Sequence, residues 1–224
     1  MSDQRTLAGL HYRIREPAPR TPESILILLH GVGADERSLA SLGEAVDPST
    51  LVVLPRGRLE FGRGQFGWFA VRFGAGGPEP DLVEAEASRT SLLVFIAELQ
   101  RVHGVAPDRT TIAGFSQGGI MSASVALTAP ESVAAFAVLA GRILPELEPV
   151  LASRSRLAHL RGLIAHGQHD NKLTVEWAHQ AARQLELLGI HHDILLYPAG
   201  HELGEAMQAD FLQWLAGIHF TCES

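Results

Sequence analysis

The sequence of 224 residues predicts a single α/β domain, spanning residues 1–224, with a mostly parallel central sheet covered by helices. Two observations predict this fold. Short continuous apolar runs recur along the chain, which is typical of strands buried on both faces. Segments with helical spacing of apolar residues lie between these runs, and this alternation implies right-handed crossovers between parallel strands.

The predicted elements follow in a regular order. Residues 10–15 form a short edge strand that ends before Pro17 and Pro19. The predicted buried strands are residues 25–29, 51–54, 110–113, 135–139, 163–165 and 194–196. The predicted helices are residues 36–46, 84–102, 119–127, 175–188 and 202–215, and Gly189 is a plausible C′ glycine of the fourth. Because ligands bind beyond the carboxyl ends of such strands, this order tests any proposed site.

Composition narrows the classes of partner. Hydrophobic residues make up 46% of the chain and charged residues 19%, as in a globular protein with a sizeable core. A net charge of −7 argues against nucleic acid, because phosphate neutralisation needs clustered Lys and Arg. The amino terminus leads into no apolar signal region, and no apolar run approaches the ~18 residues that cross a bilayer. Since Cys222 is the single cysteine, we expect no internal disulfide, a cytoplasmic location and no integral membrane association.

Residues 114–118 (Gly-Phe-Ser-Gln-Gly) are the most informative motif. The pentapeptide alone is weak evidence in a chain with 22 glycines, but it lies between a strand-like run and a helix-like run. A nucleophile elbow needs this setting, because a sharp strand-to-helix turn exposes the serine hydroxyl. We therefore predict Ser116 as a catalytic nucleophile.

A serine hydroxyl needs a histidine to accept its proton and a carboxylate to orient that histidine. The chain has 11 histidines, so position decides between them. His201 follows the last predicted strand, and Asp170 follows the strand before it. Taken alone, each is typical of an ordinary turn or capping residue. Their shared position at strand ends and the order Ser, Asp, His favour a catalytic triad.

Two backbone N–H groups are candidates for an oxyanion hole. Gln117 follows the predicted nucleophile at the start of a helix, where unsatisfied N–H groups and the helix dipole favour an anion. Val32 lies in the loop after an early strand, between Gly31 and Gly33, which allow close approach of the backbone. The alternative for that loop is an ordinary flexible turn.

Four blocks together resemble the phospholipase/carboxylesterase family, which includes acyl-protein thioesterases and small bacterial carboxylesterases. The blocks are residues 30–35 (His-Gly-Val-Gly-Ala-Asp), 114–119 (Gly-Phe-Ser-Gln-Gly-Gly), 166–170 (His-Gly-x-x-Asp) and 200–202 (Gly-His-Glu). The resemblance implies a compact α/β-hydrolase fold without a large cap. It also implies Ser116, Asp170 and His201 as the triad, with Val32 and Gln117 at the oxyanion hole.

Two further blocks resemble substrate-facing segments of the same family. Trp68-Phe69 resembles a Trp-Phe block beside the substrate channel. Residues 139–145 (Leu-Ala-Gly-Arg-Ile-Leu-Pro) resemble a Leu-Ser-Gly-x-Leu-Pro block, with Ala140 where Ser is frequent. After the predicted acid, Asn-Lys-Leu-Thr stands where the family commonly has a Pro-Val-Val-Pro type of run. These departures weaken any transfer of chain-length or protein-substrate specificity.

We therefore predict a serine esterase or thioesterase that acts on small acyl esters through an acyl-enzyme, without cofactor or metal. Val32, Trp68, Phe69 and Ile143 are predicted to line an apolar cleft for short to medium acyl chains. Residues 56–77, with seven glycines, fold over the site, and Phe61 and Phe73 are equally explained by core packing. Alternatives are a lysophospholipase or acyl-protein thioesterase, a lyase or perhydrolase on the same triad, and a non-catalytic binding protein. The sequence leaves open whether the protein is a monomer or a homodimer.

Overall fold

The computed structural model describes residues 2–74 and 77–219. Cys222 lies outside these residues, and the side chain of Phe73 is not described. The strands are β1 (Arg5–Leu7), β2 (Leu10–Ile14), β3 (Ser24–Leu29), β4 (Thr50–Pro55), β5 (Leu59–Gly62), β6 (Gln65–Gly67), β7 (Val71–Gly74), β8 (Gly77–Pro80), β9 (Thr110–Phe115), β10 (Ala135–Leu139), β11 (Arg161–Gly167) and β12 (His191–Tyr197). The α-helices are α1 (Ala40–Glu44), α2 (Leu82–His103), α3 (Gln117–Thr128), α4 (Arg154–Leu157), α5 (Glu176–Leu188) and α6 (Glu205–His219).

Eight strands form the central sheet in the order β1-β2-β4-β3-β9-β10-β11-β12. The strand pairs from β4 to β12 are parallel, whereas β2 is antiparallel to both β1 and β4. The carboxyl ends of β3, β9, β10, β11 and β12 therefore meet at one edge of the sheet. Any residue that directly follows one of these strands lies at that edge.

Helices cover both faces of the sheet, as the apolar runs predict. In β3, Ile25, Ile27 and Leu29 pack on one face with side chains of α2, α3 and α5. Leu26 and Leu28 pack on the other face with side chains of α1 and α6. This alternation confirms the predicted α/β-hydrolase architecture, with a mostly parallel sheet between two helical layers. Within the described ranges, no helix carries an apolar stretch long enough to cross a membrane.

Two β-hairpins, β5–β6 and β7–β8, form separate two-stranded sheets between β4 and α2. They make up most of the glycine-rich segment that was predicted to fold over the site. The N–H of Gly33 donates to the carbonyl of Phe66 at 2.8 Å, and the N–H of Phe66 donates to the carbonyl of Ala34 at 2.8 Å. The first hairpin is thus joined to the loop after β3.

Two differences from the sequence prediction lie near the amino terminus. The outermost strand of the sheet is β1, a three-residue strand that lies beyond the strand predicted to be outermost. The helix predicted over residues 36–46 is reduced to α1, because Glu36 is buried and its carboxylate accepts hydrogen bonds from Arg13 and Arg56 at 2.6–3.1 Å. Burial alone would raise the pKa of Glu36, but the bonds from Arg56 and Arg13 lower it to about 2. This ion cluster holds residue 36 in a turn rather than in a helix.

Candidate active site

Ser116 directly follows β9 and stands at the start of α3. Its φ of 53° is positive, which is uncommon for a residue with a side chain and marks a strained turn. A Cβ atom on Gly114 would lie 2.2 Å from the carbonyl carbon of Gly118, and one on Gly118 would lie 2.1 Å from the carbonyl oxygen of Leu29. Both glycines are therefore required for the close crossing of strand and helix, as the motif predicts.

A continuous chain of hydrogen bonds joins the three predicted triad residues. His201 Nε2 lies 2.9 Å from Ser116 Oγ, and His201 Nδ1 lies 2.6 Å from Asp170 Oδ2. An ionised carboxylate can only accept, so His201 donates from Nδ1 and its Nε2 accepts the hydroxyl proton of Ser116. Three residues that are distant in sequence thus lie together at the carboxyl edge of the sheet.

The loops after β11 and β12 approach each other closely, and this approach brings Asp170 to His201. A Cβ atom on Gly167 would lie 2.2 Å from the carbonyl oxygen of Gly200. The N–H of His169 donates to the carbonyl of Ala199 at 2.9 Å. Glycine at position 167 therefore allows the acid loop and the histidine loop to touch.

The carboxylate of Asp170 is buried and fully hydrogen-bonded. Its Oδ1 accepts from the N–H groups of Lys172 at 2.8 Å and Leu173 at 2.9 Å, while Oδ2 accepts from His201. Burial alone would raise the pKa of Asp170, but the bonds from His201, Leu173 and Lys172 hold it below its ordinary value. Asp170 therefore stays ionised at neutral pH and can orient and stabilise an imidazolium.

His166 is a buried neighbour of this carboxylate whose contacts the sequence did not reveal. Its Nε2 lies 2.7 Å from the carbonyl oxygen of Leu173 and 3.3 Å from Asp170 Oδ2. Because a carbonyl only accepts, Nε2 carries the proton and donates. His166 thus links the two ends of the loop that carries Asp170.

The two residues predicted to supply oxyanion donors both lie at the cleft that contains the serine. Gly31 lies against Ser116, since a Cβ atom on Gly31 would be 3.4 Å from Ser116 Cβ. Val32 and Gln117 both line the cleft above the serine. Among the described residues, neither N–H has a hydrogen-bond acceptor, and that of Gln117 is in the first turn of α3. Two N–H groups without an acceptor among the described residues therefore belong to residues that line the cleft with Ser116.

The side chain of Gln117 has a second set of contacts. It is buried; its Oε1 accepts from the N–H of Trp68 at 2.8 Å, and its Nε2 donates to the carbonyl of Phe69 at 2.7 Å. This amide clamps the segment between the two hairpins onto α3. The sequence predicted a role only for the backbone N–H of Gln117, because neighbouring residues in the sequence do not show which distant groups a side chain will bond.

Ser116 and His201 open into a cleft of about 1070 Å³. Most of its walls are apolar, and Val32, Phe61 and Phe69 are among the lining side chains. Trp68 and Ile143, which were expected to line it, do not. Both are buried in the core instead.

Trp68 lies behind the cleft wall because its indole packs on His30, with ring centroids 5.5 Å apart, and donates from Nε1 to the carbonyl of His30 at 2.9 Å. Ile143 packs in the core on the face of the sheet covered by α2, α3 and α5. These two residues therefore support the wall rather than form it.

His30 is itself buried below the loop that carries Val32. Its Nδ1 donates to the carbonyl of Gly31 at 2.7 Å, and its Nε2 accepts from the N–H of Gly57 at 2.9 Å. Burial lowers the pKa of His30, although the Gly31 carbonyl opposes this in part. A neutral imidazole therefore joins the loop after β3 to the segment that leads into the hairpins.

A buried cation also reaches the cleft. Arg142 follows β10, its Cζ lies 4.4 Å from the centroid of the Trp177 ring, and it is 7% exposed. Arg142 and the exposed Lys172 both line the cleft. In the sequence, the only signal for this placement is the variable position in the block of residues 139–145. No group of three His, Cys, Asp or Glu side chains that could hold a metal occurs within residues 2–74 and 77–219.

The chain is similar to known hydrolases in sequence and in fold. The sequence profile of the family described as Phospholipase/Carboxylesterase matches residues 11–218. MhqD of Bacillus subtilis (strain 168) is 30% identical over 200 residues, covering 87% of this chain and 93% of that protein. Esterase YpfH of Escherichia coli (strain K12) is 27% identical over 215 residues, covering 91% and 84%. The crystal structure of a carboxylesterase from Mesorhizobium loti superposes with a TM-score of 0.81 at 27% identity, covering 96% of this chain and 100% of that one.

Proposed function

Because the chain belongs to the phospholipase/carboxylesterase family of hydrolases, we propose that it is a serine carboxylesterase that hydrolyses short- to medium-chain acyl esters and thioesters through an acyl-enzyme. The observation that carries the proposal is the hydrogen-bonded chain from Ser116 through His201 to Asp170 at the floor of an open cleft. Strain at Ser116 and burial of Asp170 support it further.

The geometry supports a two-step reaction. His201 Nε2 accepts the Ser116 proton as Oγ attacks the ester carbonyl, and the resulting imidazolium then protonates the departing alcohol or thiol. Water enters the vacated position, His201 accepts a proton from it, and the acid product is released with the serine restored. Asp170 stays ionised throughout and stabilises the imidazolium through the 2.6 Å bond to Nδ1.

The tetrahedral intermediate carries a negative oxygen that needs preorganised donors. The free N–H groups of Val32 and Gln117 are suited to this role, since both line the cleft and neither is bonded within the described residues. Loss of one such donor costs roughly 2.7–4 kcal/mol of barrier in a comparable site. No metal or cofactor is needed for these steps.

The cleft supports a preference for short to medium acyl chains. Each CH₂ that it buries gains ~0.8 kcal/mol, so kcat/KM should rise with chain length until the apolar wall around Phe69 is filled. The measurement is a series of p-nitrophenyl esters from acetate to palmitate. A rate still climbing at palmitate, or activity confined to phospholipid vesicles, would favour the lysophospholipase or depalmitoylase alternative.

Ser116→Ala tests the catalytic proposal. The variant should keep its fold and lose several orders of magnitude in kcat/KM on p-nitrophenyl butyrate, because only binding and the oxyanion hole remain. Wild-type protein should react covalently with a fluorophosphonate probe and the variant should not. Ser155→Ala, which changes an exposed serine on α4, is the matched control and should behave as wild type.

Two results would overturn the proposal. A folded Ser116→Ala protein that kept more than about a tenth of wild-type kcat/KM would show that Ser116 is not the nucleophile. A wild-type protein that neither hydrolysed activated esters nor took up the probe would support a non-catalytic binding protein on this fold.

A further inference from the structure

The cleft carries a charge pattern that an ordinary fatty-acyl esterase does not need. Among the described residues that line it, Arg142 and Lys172 are cationic and none is Asp or Glu. The chain as a whole has a net charge of −7. A cleft with only positive fixed charges on an acidic protein attracts anions to one place on its surface.

The two cations lie on one side of Ser116. In the sheet order β3-β9-β10-β11, Ser116 follows β9, whereas Arg142 follows β10 and Lys172 follows β11. The apolar side chains Val32 and Phe69 come from the loop after β3 and from the hairpin segment after β4, on the opposite side. Both cations therefore lie on one side of the serine, and the wall formed by Val32 and Phe69 lies on the other.

The backbone places Arg142 next to the serine. Ala140 has a positive φ of 49°, and a Cβ atom on Gly141 would lie 2.9 Å from the carbonyl oxygen of Ser116. The chain thus turns sharply against the elbow one residue before Arg142. This turn leads directly into residue 142, which lines the cleft.

Arg142 keeps its charge although it is buried. Its burial lowers the pKa of its guanidinium, and the exposed Glu146 opposes this in part. Arginine nevertheless stays protonated in proteins, so Arg142 presents a positive charge to the cleft. Stacking on Trp177 orients the planar group, and a guanidinium so held suits a carboxylate, which it can bind through two parallel hydrogen bonds.

We propose that the substrate is an ester with a carboxylate on one of the two groups that flank the scissile bond, bound by Arg142 and Lys172 while the apolar group occupies the side lined by Val32 and Phe69. The proposal rests on the serine esterase function above and names its substrate class. Arg142 binds the carboxylate in the interior of the cleft, and the exposed Lys172 attracts it at the mouth.

Matched ester pairs test this with the intact protein. Mono-4-nitrophenyl adipate and 4-nitrophenyl hexanoate share a six-carbon acyl chain and differ in the terminal carboxylate. 4-Carboxyphenyl hexanoate and its methyl ester place the same difference on the alcohol. For wild type we expect one anionic ester to exceed its neutral partner in kcat/KM by roughly 10- to 100-fold, the range of one charge-assisted hydrogen bond.

Substitution then assigns the preference to its residues. Arg142→Gln should lower the ratio of anionic to neutral kcat/KM to near unity, and Lys172→Gln should lower it by a few fold. Arg101→Gln, which removes an exposed arginine on α2, is the matched control for net charge and should keep the wild-type ratio. Adipate should inhibit hexanoate hydrolysis competitively, whereas adipamide should not, and this comparison needs no variant if Arg142→Gln does not fold.

The outcomes separate the two proposals. Hydrolysis of 4-nitrophenyl hexanoate that depends on Ser116 tests the esterase function alone. If that activity is present but both neutral esters equal or exceed their anionic partners, the carboxylate proposal is wrong. It is equally wrong if an anionic preference survives unchanged in Arg142→Gln, or if adipamide inhibits as well as adipate.

Discussion

Gln117→Ala removes a buried amide that bonds two backbone groups outside its own helix. The N–H of Trp68 and the carbonyl of Phe69 both use this side chain, at 2.8 Å and 2.7 Å. A buried polar group that loses its partner costs about 1–3 kcal/mol, so the two together cost about 2–6 kcal/mol. Because Gln117 borders the cleft, water can reach part of the vacated space, and we expect a loss of about 2–4 kcal/mol.

The assay is urea unfolding followed by circular dichroism, with Gln213→Ala as the control. Gln213 is exposed on α6, so its variant should stay within about 0.5 kcal/mol of wild type. Activity gives a second readout, because Phe69 lines the cleft and its backbone loses its anchor. We expect kcat/KM on p-nitrophenyl butyrate to fall as well, although the backbone N–H at position 117 is retained.

Gln117→Glu sharpens the test. A carboxylate can still accept from Trp68, but its second oxygen faces the Phe69 carbonyl and must be protonated to donate. The new group therefore has a raised pKa in the folded state, so its stabilising contribution is present at low pH and is lost as pH rises through that pKa. The variant should be closer to wild type at pH 5 than at pH 8. A Gln117→Ala protein as stable as wild type would refute the clamp.

Three further predictions concern the loops around the site. Asp170→Asn should lower kcat on p-nitrophenyl butyrate by up to about 10⁴-fold at neutral pH, because an amide cannot stabilise the imidazolium. Asp193→Asn, on β12, is the control, and a larger loss of kcat in that variant would identify Asp193 as the acid instead. Gly167→Ala should lower both stability and kcat, since its Cβ would lie 2.2 Å from the Gly200 carbonyl oxygen, whereas Gly204→Ala meets nothing within 4 Å and should match wild type in both assays. Because burial lowers the pKa of His30, the unfolded chain takes up a proton first as pH falls below about 6.5, and the free energy of unfolding should fall by up to about 1.4 kcal/mol per pH unit. Urea unfolding measured from pH 8 to pH 5 should show that the free energy of unfolding changes less steeply with pH in His30→Gln than in wild type. An equally steep change with pH in both proteins would contradict the assignment to His30.

The sequence predicted those parts of the fold and of the candidate site that depend on local pattern. Buried parallel strands are continuous apolar runs, so the positions of β3, β9, β11 and β12 could be read directly. Once the strand ends are known, the topology brings Ser116, Asp170 and His201 to one edge without any knowledge of side-chain contacts. Glycines at the elbow carry the same kind of local signal.

The features that were missed or misplaced depend on long-range contacts. Glu36 was assigned to a helix, because its two arginine partners are 20 and 23 residues away along the chain. Trp68 was expected in the cleft, since a sequence cannot show that an indole turns inward to a carbonyl 38 residues away. The surroundings of Arg142 and His166 were not predicted for the same reason, because they arise from packing between loops.

The two hairpins have a consequence for protein engineering. Within the part of the chain that the structure describes, neither is hydrogen-bonded into the eight-stranded sheet, yet they contribute Phe61 and Val71 to the cleft. Residues 59–80 can therefore be treated as an exchangeable cassette, and we expect a grafted sequence of different length to reshape the side of the cleft lined by Val32 and Phe69 while the scaffold stays unchanged. The graft must retain an indole at position 68, which donates to the carbonyl of His30, and a free backbone N–H there, which donates to the side chain of Gln117, because these two bonds seat the cassette on the scaffold. Recombination between relatives at the two ends of this segment would sample new acyl specificities in single steps.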